Sequence, residues 1–194
     1  MESVIGSFDV VKGLPMARWK VVMKYEDLSG FGFPCYLKAD VVGHKSEMGA
    51  VARCDNLEDA EKKLRKMHRE FPKNKIIVQE TFFGIEMIVG LKSDDVFGKL
   101  LVVGFGGIFA EVKKDVSFRA LPVSRRDIVE MIKDLEGVEV FRARGKKYDM
   151  EKFVTFIEKV AYLGNKIDVK ELDLNPVIVG EKDSKLVDAR VELN

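Results

Sequence analysis

Two polar side chains near the end of the sequence, Asn175 and Asp188, have a spacing that could hold a metal ion. Asp173 and Asn175 are two residues apart, so both would project from one face of a β-strand. A turn centred between residues 181 and 182 would place Asn175 opposite Asp188 and Asp173 opposite Arg190. Side chains directly opposed in this way have Cβ atoms about 5 Å apart. An amide oxygen and a carboxylate oxygen at that separation can hold one hard cation.

The type of these oxygens narrows the choice of cation. Mg²⁺ commonly takes one or two protein oxygens and completes its shell with water and phosphate. The hairpin therefore predicts a site for a magnesium-bound nucleotide phosphate. The same residues also fit a polar surface hairpin in which Asp173 pairs with Arg190, and the pattern by itself leaves both interpretations open.

A second candidate for phosphate chemistry lies in the segment 38–51. Lys38 ends an apolar strand, where a buried stem could deliver its ammonium group to a phosphate. The following loop contains His44, and histidine can act both as a base and as a reversible phosphate carrier. Gly43 and Gly49 flank it and would let the loop move. An exposed loop histidine without a role is the alternative.

A glycine cluster, residues 104–107, ends a predicted strand. It matches neither the dinucleotide-binding fingerprint nor a Walker A loop, so it indicates phosphate only weakly, and a tight turn explains it as well. Downstream, Lys113, Lys114 and Arg119 could reach anionic oxygens or could be solvated surface charges.

The scarce residue types exclude other chemistry. The chain has two cysteines, Cys35 and Cys54, and two histidines, His44 and His68. No pair among them has zinc-finger spacing, which indicates two small thiols, buried or half-buried, rather than a zinc site. The motifs of serine hydrolases, zinc metalloproteases and EF-hands do not occur in the sequence.

Composition bounds the class of protein. The 194 residues are 46% hydrophobic and 34% charged, which is typical of a folded domain. A net charge of +1 argues against a broad surface for nucleic acid or anionic membrane. No apolar stretch is long enough for a transmembrane helix, and the first residues do not have the pattern of a signal peptide. We therefore expect a cytoplasmic protein without nucleic-acid or membrane partners.

Hydrophobic periodicity supplies the elements that would position these residues. Three helices are predicted, at 57–71 with Asn56 as N-cap and His68 on the solvated face, from Ser124 to about Leu135 with Asp127 in a capping box, and at 150–163. Strands are predicted at 18–23, 34–39, 76–80, 85–91, 99–105, 109–114, 170–179 and 185–191. Helices and strands alternate irregularly, which indicates an α+β class with mostly antiparallel sheets.

Five segments together resemble a known family, the ATP-grasp β subunit or β domain of ADP-forming acyl-CoA synthetases. This group includes ADP-forming acetate–CoA ligase and is related to the β subunit of succinyl-CoA synthetase. The resemblance spans about 32–191, and its segments are GFPCYLK (32–38), GHKSEMGAV (43–51), VQETFFGIEMIVGLKSDDVFG (78–98), GFGGIFAEVKKDVSFRALP (104–122) and ELDLNPVIV…LVDAR (171–190).

The resemblance implies a fold and a division of the chain. We expect one ATP-grasp domain over 1–194, with two α+β lobes that grip a nucleotide. The first lobe would cover about 1–78 and the second about 79–194, with the metal hairpin in the second. The first lobe is expected to be minimal, because residues 24–29 are too few for the helix usual in the family.

The resemblance also implies a role for individual residues. Lys38 matches the lysine that reaches the phosphates of ATP. Other nucleotide-binding positions are Gln79, Glu80, Thr81 and Phe82 at the hinge, Glu86, and Arg119. Asn175 and Asp188 match two Mg²⁺ ligands, in agreement with the predicted hairpin register. Asp173 matches an acidic position near the phosphohistidine, and His44 matches a histidine of the mobile loop that relays phosphate.

The implied reaction is acyl-CoA + ADP + phosphate ⇌ carboxylic acid + CoA + ATP, with Mg²⁺ and ADP or ATP at this subunit. A CoA-binding α subunit in a hetero-oligomer would carry the primary phosphohistidine, and we expect turnover only with it. A second hypothesis is a regulatory nucleotide-binding subunit that lacks the relay, which is compatible with Ala50 where the family usually has glycine. A carboxylate–amine ligase is a third, although such enzymes normally have an additional substrate domain.

Overall fold

The computed structural model of the protein describes residues 1–43, 48–107, 115–145 and 147–194. The chain divides into two compact units. The first unit comprises Met1–Gly6 and Ala17–Thr81, and the second comprises Ser7–Met16 and Phe82–Asn194. The first boundary between the two units, between Gly6 and Ser7, lies within helix α1 (Val4–Val10). The predicted division into lobes near residue 79 stays a prediction.

The first unit is a four-stranded antiparallel sheet with one long helix. Its elements are β1 (Trp19–Val22), a 3₁₀ helix (Tyr25–Leu28), β2 (Cys35–Ala39), β3 (Val51–Cys54), α2 (Leu57–Glu70) and β4 (Ile76–Glu80). The strand order is β1-β4-β2-β3, so β1 and β3 are the edges. The 3₁₀ helix lies in residues 24–29, the stretch that was predicted to be too short for the helix usual in the family.

Helix α2 forms because its apolar residues recur every three or four positions. Ala60, Leu64 and Met67 are buried in the core of this unit. Asn56 caps the helix, its side chain accepting a hydrogen bond of 2.9 Å from the backbone nitrogen of Asp59 as predicted. His68, which we predicted on the solvated face, is instead half-buried, and its Nε2 atom has no partner in the described part of the chain.

The register of the sheet assigns side chains to its two faces. Cys35, Leu37 and Ala39 of β2 lie in the same core as α2. The alternate residues of the inner strands project from the other face. That second face carries two cross-strand rows, Trp19–Gln79–Tyr36–Arg53 and Val21–Ile77–Lys38–Val51. The face opposite α2 is therefore the one on which Lys38 lies.

The second unit is a larger antiparallel sheet with two long helices on one face. Its strands are β5 (Ile85–Asp94), β6 (Gly98–Phe105), β7 (Val116–Ala120), β8 (Val169–Val179), β9 (Ser184–Leu186) and β10 (Ala189–Leu193). The helices are α3 (Arg125–Lys133) and α4 (Met150–Gly164), with a 3₁₀ helix (Val138–Gly145) between them. The order is β10-β8-β5-β6-β7, and β9 also pairs with β8.

Helix α3 begins at the predicted capping box. The Ser124 hydroxyl accepts a hydrogen bond from the Asp127 backbone nitrogen, and the Asp127 carboxylate accepts one from the Ser124 backbone nitrogen. Helix α4 buries Phe153, Phe156 and Ile157, which also agrees with the sequence pattern.

The predicted strands differ from the observed ones at three places. Strands β3 and β7 were not predicted, since each is short and has little alternation of its own. The segment 185–191 was predicted as one strand, but two residues outside the ladder divide it into β9 and β10. The strand predicted at 109–114 lies outside the described residues.

Gly84, just before β5, allows one backbone segment to approach another. A Cβ atom at this position would lie 2.1 Å from the carbonyl oxygen of Val179. Gly84→Ala should therefore force β5 and β8 apart and lower the free energy of unfolding by about 2–3 kcal/mol. Urea denaturation would measure this, with Gly32→Ala as the control because a Cβ there meets nothing within 4 Å. Equal losses for both variants would contradict the prediction.

Candidate functional site

Lys38 and Gln79 are two buried polar residues of the first sheet, on the face opposite α2. Lys38 is only 5% exposed and Gln79 is fully buried. Gln79 is the register partner of Tyr36, and Lys38 that of Ile77, so the two polar residues are diagonal neighbours on one face. Diagonal neighbours are about 7–8 Å apart, which is within reach of two long side chains.

The amide of Gln79 has no hydrogen-bond partner among the residues that the structure describes. This holds for both its Oε1 and its Nε2 atom. An unsatisfied buried polar atom costs about 1–3 kcal/mol. Such a cost is expected at a position where a ligand, and not the protein, completes the hydrogen bonds.

Glu80 and Thr81, the next two predicted nucleotide contacts, form side-chain hydrogen bonds with other residues of the first unit. The Glu80 carboxylate accepts a 2.9 Å hydrogen bond from the backbone nitrogen of Arg18 and lies 3.7 Å from Nε of the same residue. The Thr81 hydroxyl donates to the carbonyl oxygen of Pro34 at 2.6 Å. Both side chains therefore help to hold the end of β4 in place, and their contacts with a nucleotide stay a prediction.

In the second unit, the hairpin of β8 with β9 and β10 has the predicted register. Asp173 is the partner of Arg190, and Val177 is the partner of Leu186. Between those pairs, the backbone nitrogen of Asn175 donates to the carbonyl oxygen of Asp188 at 3.1 Å. Asn175 is therefore opposite Asp188, as the sequence indicated.

The donor set at this point of the hairpin fits a hard divalent cation. Asn175 is exposed and Asp188 is half-buried, so an amide and a carboxylate side chain are opposite each other at the interruption between β9 and β10. In the described ranges, no three histidine, cysteine or acidic side chains gather into a metal-binding group. Two protein oxygens are sufficient for Mg²⁺ when phosphate and water supply the rest.

Glu86 lines a cavity of about 560 Å³ at the ends of β5 and β6. Two glycines of the 104–107 cluster lie close to Glu86. The backbone nitrogen of Gly106 donates to the Glu86 carbonyl oxygen at 2.8 Å, and a Cβ at Gly107 would lie 2.6 Å from Glu86 Oε2. The glycines therefore permit contact with Glu86, and the cavity has the volume of a small-molecule site.

Phe82 contributes an aromatic ring to a second cavity, of about 610 Å³, beside the turn between β8 and β9. The ammonium of Lys185 lies 4.8 Å from the centre of that ring, a cation–π arrangement. Tyr148 lines both cavities. No sequence pattern points to Lys185 or Tyr148, because both positions depend on contacts between distant segments.

Arg119 projects from the face of the second sheet opposite to that of Asp173 in the β8 hairpin. It lies in a cross-strand row with Leu101, Leu91 and Leu172, on the face that the helices cover. Its guanidinium pairs with the Asp134 carboxylate at 2.6 Å. Asp173 lies in the neighbouring row and so projects from the opposite face. The role of Arg119 in nucleotide binding stays a prediction.

His44 and the cations Lys113 and Lys114 lie outside the described residues. Within those residues, no helix is long and apolar enough to cross a membrane.

Comparison with known proteins identifies the family. Residues 12–193 match the model of the ATP-grasp domain. The β subunit of ADP-forming acetate–CoA ligase I from Pyrococcus furiosus is 33% identical over 199 residues, covering 93% of this chain and 86% of that protein. The chain therefore belongs to the ATP-grasp family, and within it to the group of ADP-forming acyl-CoA ligase β subunits.

Two further relatives extend the comparison. ADP-forming acetate–CoA ligase II from Archaeoglobus fulgidus is 36% identical over 166 residues, which are 82% of this chain but only 24% of that longer protein. A solved structure of Ca. Korarchaeum cryptofilum acetyl-coenzyme A synthetase 1 has a TM-score of 0.85 and 30% identity, covering 100% of this chain and 93% of that one. The predicted family and α+β ATP-grasp fold are confirmed.

Proposed function

We propose that this chain is the nucleotide-binding subunit of an ADP-forming acyl-CoA synthetase and that it requires a CoA-binding α partner. It would convert ADP to ATP by accepting a phosphoryl group on His44 and passing it to the nucleotide. The overall reaction is acyl-CoA + ADP + phosphate ⇌ carboxylic acid + CoA + ATP. The solved relative from Korarchaeum was obtained in complex with coenzyme A and Mg-AMPPCP, with a phosphohistidine segment pointing towards the nucleotide site, which supports the proposal.

The observation that carries the proposal is the pair of buried polar side chains on the face of the first sheet opposite α2. Lys38 would neutralise phosphate charge, since a buried ammonium interacts strongly with an anion. The unsatisfied amide of Gln79 offers the two N–H donors of Nε2 and the acceptor Oε1 to a nucleotide.

The second unit would supply the metal contacts and part of the nucleotide contacts. Asn175 and Asp188 would hold Mg²⁺, which when bound offsets the negative charge of the phosphates. Glu86 would contact the nucleotide from the cavity at the ends of β5 and β6. Asp173 lies two residues from Asn175 and would face the phosphohistidine that brings the phosphoryl group.

Calorimetry followed by a turnover assay tests the proposal. The isolated chain should bind ADP in the presence of Mg²⁺. Addition of a cognate CoA-binding α subunit should then allow ATP to form from acyl-CoA, ADP and phosphate. Binding without turnover would favour the regulatory subunit instead, and the absence of any nucleotide binding would contradict both.

Asp188→Asn tests the metal contact. The substitution keeps an oxygen but removes its charge, so the Mg²⁺ concentration needed for half-maximal ADP binding should rise on the order of tenfold to a hundredfold. Calorimetric titrations of ADP at several Mg²⁺ concentrations would measure the change. Asp95→Asn, at the exposed tip of the β5–β6 hairpin, is the matched control and should bind like the parent chain. An unchanged Mg²⁺ requirement in Asp188→Asn would remove Asp188 from the metal site.

A further inference from the structure

Cys35 and Cys54 face each other across the β2–β3 ladder. The two are direct register partners in the antiparallel pair, and partners in such a pair project from the same face. Both are fully buried in the core of the first unit. The proposed phosphoryl transfer uses neither thiol, so their juxtaposition requires a separate explanation.

The backbone geometry at this position suits a disulfide. The backbone nitrogen of Ala39 donates to the carbonyl oxygen of Ala50, which marks that pair as hydrogen-bonded. Cys35 and Cys54 are each an even number of residues away, so they form a pair of the same type. Such pairs have Cα atoms about 5.5 Å apart, and disulfides most often join Cα atoms about 5.5–6 Å apart.

The two cysteines lie at the end of the β2–β3 ladder, where local opening could give an oxidant access to them. Cys54 is the last residue of β3, an edge strand, and Cys35 is the first residue of β2. Both sulfurs lie in the core that α2 covers, so their exposure requires local opening of the end of β3 together with the start of α2, which follows Cys54 after only two intervening residues. Strand ends open at a small fraction of the free energy of global unfolding.

Each thiol influences the ionisation of the other. The neighbouring Cys54 thiol lowers the pKa of Cys35, whereas burial and the nearby Asp59 oppose this effect. Cys35 and burial raise the pKa of Cys54. Whichever thiol ionises first, its register partner lies in position to close the bond.

We propose that Cys35 and Cys54 are a reversible dithiol–disulfide site that reacts with low-molecular-weight disulfides. One of the two thiols, as its thiolate, would attack one sulfur of oxidised glutathione, forming a mixed disulfide and releasing one glutathione thiolate. The other thiol would then lose its proton and attack the protein sulfur of the mixed disulfide, releasing the second glutathione. Two protein thiols are oxidised and one glutathione disulfide is reduced to two thiols. Dithiothreitol would reverse the reaction.

Mass spectrometry of the native full chain tests the proposal without any nucleotide. The chain is equilibrated with oxidised glutathione, quenched with acid, unfolded and alkylated. The mass of the parent chain should then show no alkyl group and the loss of two hydrogen atoms. The chain should also stay monomeric on a non-reducing gel. Peptide mapping should join Cys35 to Cys54, and dithiothreitol should restore two alkylated thiols. Cys54→Ser should stop at one glutathione on Cys35.

Other results would overturn the proposal. Two alkylated thiols after oxidation, a persistent glutathione adduct on the parent chain, or a disulfide between two chains would each contradict an internal bond. The titration of the parent chain separates these outcomes even if Cys54→Ser fails to fold. They are also independent of the nucleotide function, since no nucleotide is added.

Discussion

Lys38→Met should lower the affinity of the chain for ADP on the order of tenfold to a hundredfold in the presence of Mg²⁺. A hydrogen bond between charged groups contributes about 1.5–3 kcal/mol, and the low exposure of Lys38 reduces screening by water. Methionine keeps the length of the aliphatic stem and the packing of β2 against its neighbours. The free energy of unfolding should therefore change by less than about 1.5 kcal/mol.

Isothermal titration calorimetry of ADP binding would measure the loss, with adenosine as a second ligand. Adenosine has no phosphate, so its binding should be the same in the parent chain and in Lys38→Met. Lys62→Met is the matched control, because Lys62 is an exposed residue of α2, on the other side of the same sheet. A loss of affinity for adenosine as well as ADP would show that the substitution disturbs the site and would remove Lys38 from the phosphate contacts.

The sequence predicted those parts of the fold that depend on local interactions. The register of the β8 hairpin follows from a short turn, and each residue after the turn has its partner determined by counting. Helix α2 and the capping box of α3 follow from periodicity and from side chains three residues apart. For this reason, the opposition of Asn175 and Asp188 follows from the spacing of the residues along the chain.

The parts that could not be predicted depend on contacts between distant segments. Strand β3 has only four residues and is defined by its pairing with β2, and β7 is defined by its pairing with β6. The burial of Gln79 without a partner among the described residues likewise depends on every group around it. Arg119 illustrates the same limit, because its ion pair with Asp134 joins residues 15 positions apart in the chain and has no local sequence signal.

His44→Ala should abolish ATP formation from acyl-CoA, ADP and phosphate in the assembled enzyme while leaving ADP binding unchanged. If His44 carries the phosphoryl group, its imidazole nitrogen forms a bond to phosphorus and later breaks it as the group passes to ADP. Alanine can form no such bond, so the rate should fall at least about a thousandfold. Binding of ADP to the isolated chain does not require the relay and should differ by less than about twofold.

The other histidine of the chain provides the matched control. His68→Ala changes the same residue type on helix α2, outside the predicted nucleotide contacts, and should keep its turnover. Incubation of the assembled enzyme with radiolabelled ATP should place acid-labile phosphate on the parent chain and on His68→Ala, but not on His44→Ala. Normal turnover in His44→Ala would exclude the relay even if ADP still binds. Loss of ADP binding in that variant would instead assign His44 to the nucleotide contacts, because a residue that acts only as a carrier contributes nothing to the affinity of the isolated chain.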